Sequence, residues 1–313
     1  MRIFEIGTPY PVMKEIPETL PEGGLFVACN AEEAKELTAH FLWDEDTKKE
    51  NISVGGNIQH INHDGYDYIS IVHAEKKHNE TIQCEIEMFI SKQYLVLVLP
   101  EKHGEKIDEL QASIYHYIEH SDESQNTIER IYHMVLNKIA ADYSEVLERL
   151  EDELEALSEV VTMDPRKGQI TEIVKLRKMA YSGKKNLRAI SYISDEILED
   201  ENGLIHKQQL LHFRAVNARY RKLYEFAVSL YDLSGEILGI YDSNLTIKVN
   251  ESIDKLTAIM MFLAAITVIT GIFNIDLRFM PAIDSIIGYP LALALIAVLS
   301  IVLYRLIRKK NWL

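Results

Sequence analysis

The chain has 313 residues, enough for two ordinary domains or for one domain with membrane segments. Its 33 Lys and Arg against 48 Asp and Glu leave a formal net charge of −15, which argues against a general nucleic-acid binder. Only two cysteines occur, Cys29 and Cys84, so a disulfide scaffold and a four-cysteine zinc site are excluded. Met1–Tyr10 has no long apolar core, so no secretory signal peptide is expected.

Residues 1–122 read as one small mixed α and β domain. Asn30 precedes Ala31–Phe41 with Glu33 three positions on, the pattern of a helix N-cap. Tyr66–Ala74 and Cys84–Ile90 alternate in part between apolar and polar residues, as half-buried strands do. Leu95–Leu99 is a continuous apolar run closed by Pro100 and predicts a central strand. Gly23-Gly24, Gly55-Gly56 and Asp64-Gly65 signal turns.

Residues 123–203 predict a helical hairpin with arms of roughly 30 residues. Ile128, Ile131, Val135 and Ile139, then Val146, Leu150, Leu154, Leu157 and Val161, recur at helical steps. Asp164-Pro165 and Gly168 break the pattern, which resumes through Ile173, Leu176, Leu187, Ile190 and Ile197 and ends at Asn202-Gly203. A stalk helix follows over residues 204–255. Its Leu223, Phe226, Leu230, Leu233, Ile237 and Ile240 alternate three and four apart, a seam suited to packing against copies of itself, weakened locally by Gly235 and Gly239.

Two long uncharged runs close the chain, Leu256–Ile275 and Ile286–Tyr304. At about 1.5 Å per residue each covers roughly 30 Å, one hydrocarbon core, and each predicts a transmembrane helix. Residues 276–285 form the loop between them, and residues 305–313 a basic tail. Arg305, Arg308, Lys309 and Lys310 lie after the second run, and Lys248 and Lys255 flank the first. This bias puts the N-terminal part and the tail in the cytoplasm of a multi-pass inner-membrane protein. The stalk would run directly into the first span. Two spans cannot enclose a polar path, so a conducting form needs several copies around an axis.

Nothing predicts an enzyme: no phosphate-binding glycine loop and no nucleophile with its base are found. His116 and His120, four apart, have a spacing that can bind zinc, but without a third ligand they read as a surface pair. His60 and His63 read as a polar turn. No bound cofactor is expected beyond a carried or regulatory divalent cation.

This layout resembles the CorA family of divalent-cation transporters. The resemblance rests on the tail Arg308-Lys309-Lys310-Asn311-Trp312-Leu313, on Gly288-Tyr289-Pro290 at the end of the outer loop, and on Phe279-Met280-Pro281 within it. The family pattern lies without a gap from Asn250 to Leu313, while the N-terminal half matches in architecture only. It implies an α+β cytoplasmic domain, a long helical stalk and two C-terminal transmembrane helices, assembled as a funnel-shaped homo-pentamer in a lipid bilayer. It also implies transport of Mg²⁺, or of Co²⁺, Ni²⁺ or Zn²⁺, through a pore built by the first span of each subunit.

The family's Gly-Met-Asn signature is replaced here by Asn274-Ile275-Asp276 in the gapless reading. Taking Gly271-Ile272-Phe273 as a degenerate signature requires a three-residue insertion. In the family, neutral Asn carbonyls meet a hydrated ion at the pore mouth. A ring of Asp276 carboxylates would attract cations more strongly, which makes Asp276 the candidate metal residue, although it could also simply cap the loop. The pore-lining positions map onto Asn250, Ile253, Leu256, Ala264, Thr267 and Gly271, with Met260 on the same face. Ile253, Leu256 and Met260 would form an apolar constriction able to gate by dewetting. The family's regulatory acid falls in Phe213-Arg214-Ala215-Val216, where it is missing, and its second acid falls on Gly239. The lower stalk still carries Asp232, Glu236, Asp242, Glu251 and Asp254, which either concentrate cations or form a solvated face. Two other readings stay open: a zinc-type homologue of changed selectivity, and a non-conducting membrane sensor or scaffold.

Overall fold

A computed structural model of the chain describes residues 1–8, 12–41, 43–44, 58–77, 80–101, 104–120, 127–166 and 168–273, with a few isolated positions beyond them. Its contacts divide it into two units: Met1–Glu159 with Gly168–Ile237, and Val160–Lys167 with Leu238–Leu313.

The first unit is built on a sheet that, among the described residues, has seven strands: β1 (Arg2–Glu5), β2 (Val12–Met13), β3 (Leu25–Cys29), β4 (Gln59–His63), β5 (Tyr66–Lys77), β6 (Glu80–Ile90) and β7 (Tyr94–Val98). Their order is β2-β1-β3-β7-β6-β5-β4. The apolar runs of β3 and β7 are buried on both faces and pair in parallel at the centre, the burial that parallel strands require. The remaining pairs are antiparallel.

Helix α1 (Ala31–Phe41) covers one face. Its core holds Leu25, Val27, Tyr68, Phe89 and Val96 with Ala34, Leu37 and Trp43, whose ring stacks on Phe89 at 3.7 Å. The expected cap on α1 is a reciprocal box. Glu33 N–H donates to Asn30 Oδ1 at 2.8 Å, and Asn30 N–H donates to Glu33 Oε2 at 2.9 Å. Helix α2 (Glu105–His120) buries Ile107, Leu110, Ile114 and Ile118, and its Tyr115 stacks on Phe4 of the sheet.

The hairpin arms are α3 (Ile128–Met163) and α4 (Gln169–Glu199), interrupted where Asp164-Pro165 and Gly168 stand. Asp200 ends α4 in the left-handed region, and its carboxylate accepts the Leu204 and Ile205 N–H groups. The last helix, α5 (Leu210–Phe273), contains no proline and runs unbroken from the stalk into the first apolar run.

Part of the stalk seam is used inside the subunit: Leu223, Leu230 and Ile237 are buried in a single chain, whereas Phe226 and Leu233 are half-buried and Ile240 is exposed. Within the first unit, Tyr220 Oη donates to Leu136 O of α3, and Ser194 of α4 donates to Asn217 Oδ1. The same unit explains Gly235. A Cβ there would stand 2.6 Å from Arg177 Nη1, and that guanidinium lies over the Tyr231 ring at 4.4 Å. The residue read as a weak point in a seam makes room for an arginine.

Among the described residues, no helix is long and apolar enough to cross a membrane. The run from Leu256 is helical to Phe273, about 27 Å at 1.5 Å per residue. Its last two positions, and 11 of the 19 residues of Ile286–Tyr304, lie outside the described residues.

Candidate ion-conducting site

The positions mapped onto a pore line lie on α5. At about 100° per residue, Ile253, Leu256, Met260, Ala264, Thr267 and Gly271 fall within an arc of about 80°, and Asn250 lies about 40° beyond it. From Asn250 to Gly271 this stripe is about 32 Å long. All seven residues are exposed in the single chain, with Ile253, Leu256 and Met260 each more than half exposed. Ile259, Met261, Leu263 and Val268 are exposed as well, so this part of α5 is apolar on most sides. A helix of that kind is stable only against lipid or other helices.

Polar groups on the stripe are few. Thr267 Oγ1 donates to Leu263 O at 2.8 Å, which satisfies its proton within the helix and leaves lone pairs to face outward. Thr270 closes back on Ile266 O in the same way. Asn250 is the polar residue at the lower end.

The hairpin tip braces this helix inside the second unit. Lys248 Nζ meets Asp164 Oδ1 at 2.7 Å, and Arg166 Nε donates to Asp164 Oδ2 at 2.9 Å. The Lys248 hydrogen bond, followed by that of Arg166, holds the Asp164 carboxyl below its ordinary range. Asn244 Nδ2 donates to Val161 O at 3.4 Å. Beside these contacts lies a groove of about 400 Å³ lined by Pro165, Leu245, Lys248, Val249, Ser252, Ile253 and Leu256. Ile253 and Leu256 therefore belong both to the candidate pore stripe and to the groove beneath the hairpin tip.

Asn274, Ile275 and Asp276 lie outside the described residues, as do Phe279-Met280-Pro281, Gly288-Tyr289 and the basic tail from Arg308. Among the described residues, no group of three His, Cys, Asp or Glu side chains could hold a metal ion. Asp232, Glu236, Asp242, Glu251 and Asp254 are all exposed, and so are Ala215 and Gly239. His120 Nδ1 faces His116 O at 3.0 Å, and the two rings lie 4.2 Å apart.

His60 departs from its reading as a turn residue. It lies on β4 with a side chain only 3% exposed, between Asp67 Oδ2 at 3.2 Å and Glu196 Oε2 at 3.3 Å. The sequence reading also missed a polar chain that starts in the core at His73 and Asp142 and runs out to the surface. His73 Nε2 meets Asp142 Oδ2 at 3.0 Å, Lys138 meets Asp142 and Glu109 at 3.1 Å each, and Lys106 meets Glu109 and Glu145. His73 is the one polar residue in the otherwise apolar stretch Ile69–Ala74 after Ser70, the only local signal available.

Comparison with known proteins places these features in a family. The family model described as CorA-like Mg²⁺ transporter protein matches residues 25–309. The cobalt/magnesium transport protein CorA of Thermotoga maritima is 23% identical over 239 residues, covering 76% of this chain and 67% of that protein. The protein of the same name from Methanocaldococcus jannaschii is 25% identical over 183 residues, with 58% of this chain and 57% of the relative covered. The complete structure of the CorA magnesium transporter from Methanocaldococcus jannaschii superposes with a TM-score of 0.86 at 18% identity, covering 100% of this chain and 98% of that one. At that identity the superposition establishes a shared fold.

Proposed function

The chain belongs to the CorA-like Mg²⁺ transporter family, and from that premise we propose that it carries divalent cations across a membrane as a homo-oligomer. The expected form is a pentamer in the inner membrane with both termini cytoplasmic. The α5 segments surround a central axis and turn Asn250, Ile253, Leu256, Met260, Ala264, Thr267 and Gly271 toward it. Mg²⁺ is the leading ion, and Co²⁺, Ni²⁺ and Zn²⁺ are the alternatives. The protein acts as a conduit and not as an enzyme.

The observation that supports this most is the exposed, charge-free stripe on α5, continuous with the stalk. A single face of 32 Å or so with apolar side chains below and a threonine hydroxyl above suits an ion that keeps its water shell. The ion would be drawn in at Asn274-Ile275-Asp276, where a ring of Asp276 carboxylates replaces neutral amides. That replacement also favours a second reading, a zinc-type homologue, because carboxylates bind a cation directly where amides meet its waters.

Flux into proteoliposomes is the test, with Mg²⁺, Co²⁺, Ni²⁺ and Zn²⁺ measured side by side for the wild type and Asp276→Asn. Transport whose ion order changes with Asp276→Asn supports the reading. Silence for every ion, from an intact oligomer, would sink it and leave a membrane sensor or scaffold.

A further inference from the structure

The register of the sheet brings an unusual set of oxygens together. Gln59 pairs with Ser70, Ser70 with Glu87, and Glu87 with Val98, so these residues form one row across β4, β5, β6 and β7. Directly opposed side chains in such a row stand about 5 Å apart. Glu85 is two residues from Glu87 on the same strand, and side chains two apart share a face. Tyr68, two residues from Ser70, completes the patch. Ser70 Oγ donates to Glu85 Oε1 at 2.5 Å.

The patch is buried and incompletely satisfied. Tyr68 and Ser70 are fully enclosed, and Glu87 is 8% exposed. Among the described residues, Glu87 Oε2 and Tyr68 Oη have no hydrogen-bond partner. No basic side chain among those residues offsets Glu87. A buried carboxylate with an oxygen left unpaired and no cation beside it either carries a proton or takes up a cation. Burial, then the charge of Glu85, pushes the Glu87 carboxyl up to about 7. Burial, then the charges of Glu87 and Glu85, raises the Tyr68 phenol well above its ordinary value. The half-buried Glu85 leaves an approach from solvent.

We propose that Glu87 and Glu85, with the hydroxyl oxygens of Tyr68 and Ser70, form a binding site for one hard divalent cation of the Mg²⁺ type within the α/β domain of each subunit. Two carboxylates and two neutral oxygens make a partial shell that water completes, the usual arrangement for Mg²⁺ on a protein. The site is assembled from β5 and β6 of one subunit and uses none of the α5 stripe, so it stands or falls separately from the proposed pore.

Electron paramagnetic resonance of Mn²⁺, used as the probe for Mg²⁺, counts bound ions on the full chain in detergent. Glu87→Gln should remove one Mn²⁺ per subunit, and Asp276→Asn should leave that ion in place. Tyr68→Phe and Glu85→Gln should each weaken it, and Glu85→Gln gives the same reading should Glu87→Gln fail to fold. An identical Mn²⁺ count for the wild type, Glu87→Gln and Glu85→Gln would overturn the proposal. If that unchanged count came with a raised Tm for Glu87→Gln, the group would be shown to hold a buried proton instead.

Discussion

The imidazole of His73 and the carboxylate of Asp142 meet at 3.0 Å although 69 residues separate them in the chain. Both side chains are almost fully buried, His73 on β5 and Asp142 on α3. Lys138 approaches the other carboxylate oxygen at 3.1 Å. Burial alone would raise the Asp142 carboxyl, but the hydrogen bonds from His73 and Lys138 more than offset it and hold the carboxyl below its ordinary value. A carboxyl held low in the folded state contributes stability that is present above its unfolded value and lost as pH falls through the folded one. Asp142→Ala should therefore cost about 2–3 kcal/mol at neutral pH, because a buried histidine and a half-buried lysine lose their acceptor. The cost should shrink as pH falls below the ordinary aspartate value of 3.8. Denaturant unfolding at pH 7 and pH 3 checks both statements, and equal losses at the two values would contradict the assignment.

Gly104 and Gly235 are both crowded but should respond differently to alanine. A Cβ on Gly104 would stand 1.9 Å from Glu75 Oε2. That carboxylate is fixed, since it accepts the N–H groups of Glu105 and Lys106 at 3.1 Å each and so caps α2. Gly104→Ala should displace the cap and cost about 1–2 kcal/mol. At Gly235 the obstacle is the tip of Arg177, a flexible side chain that can swing away. Replacing a mid-helix glycine by alanine gains about 1 kcal/mol, which should roughly balance the lost contact of Arg177 with Tyr231. Thermal unfolding of the two variants should separate them by several degrees, Gly104→Ala the lower.

The Asn30–Glu33 box gives a smaller, local prediction. Asn30→Ala removes the acceptor for Glu33 N–H and should cost about 1 kcal/mol. Asn30→Asp keeps the acceptor and should cost little. Hydrogen exchange of the first turn of α1 should report the difference more sharply than global unfolding, since the effect is confined to one helix end.

The box was legible in the sequence because both partners lie within four residues of each other. The helix periods of the hairpin, the break at Asp164-Pro165 and the apolar run of β7 were legible for the same reason: each is a short-range pattern. Relationships set by pairing across the sheet were not. His60 looked like a turn residue because its acceptors, Asp67 and Glu196, are brought to it by a strand pair and a distant helix. The row Gln59, Ser70, Glu87 depends on register, which one sequence does not display. The stalk seam was visible as a periodicity, but periodicity does not say which surface it meets, and Leu223, Leu230 and Ile237 are already buried within one subunit. Of the candidate site, both the α5 stripe and Asn274-Ile275-Asp276 rest on family alignment, and helical spacing adds only that the stripe residues share one face.

The stripe itself carries the last prediction. Leu256 and Met260 are exposed in the single chain and point along one face of α5. If that face lines the axis, a ring of leucines at this level leaves too little polar surface to hold water, and the constriction resists ions by staying dry. Leu256→Ser would then wet it, raising divalent flux in proteoliposomes several-fold while leaving the order of ion preference unchanged, since the proposed selectivity ring at Asn274-Ile275-Asp276 is untouched. Asn250→Ala, one polar ring lower, should reduce flux. The groove under the hairpin tip sets the opposing expectation, since Leu256 also lines that groove beside Pro165. If packing there were its sole role, Leu256→Ser would lower stability by about 2–4 kcal/mol and leave the flux per folded oligomer unchanged. Measuring Tm and flux on the same preparations separates the two: a raised flux with a small fall in Tm assigns Leu256 to the pore, and a large fall in Tm with normal flux assigns it to the brace.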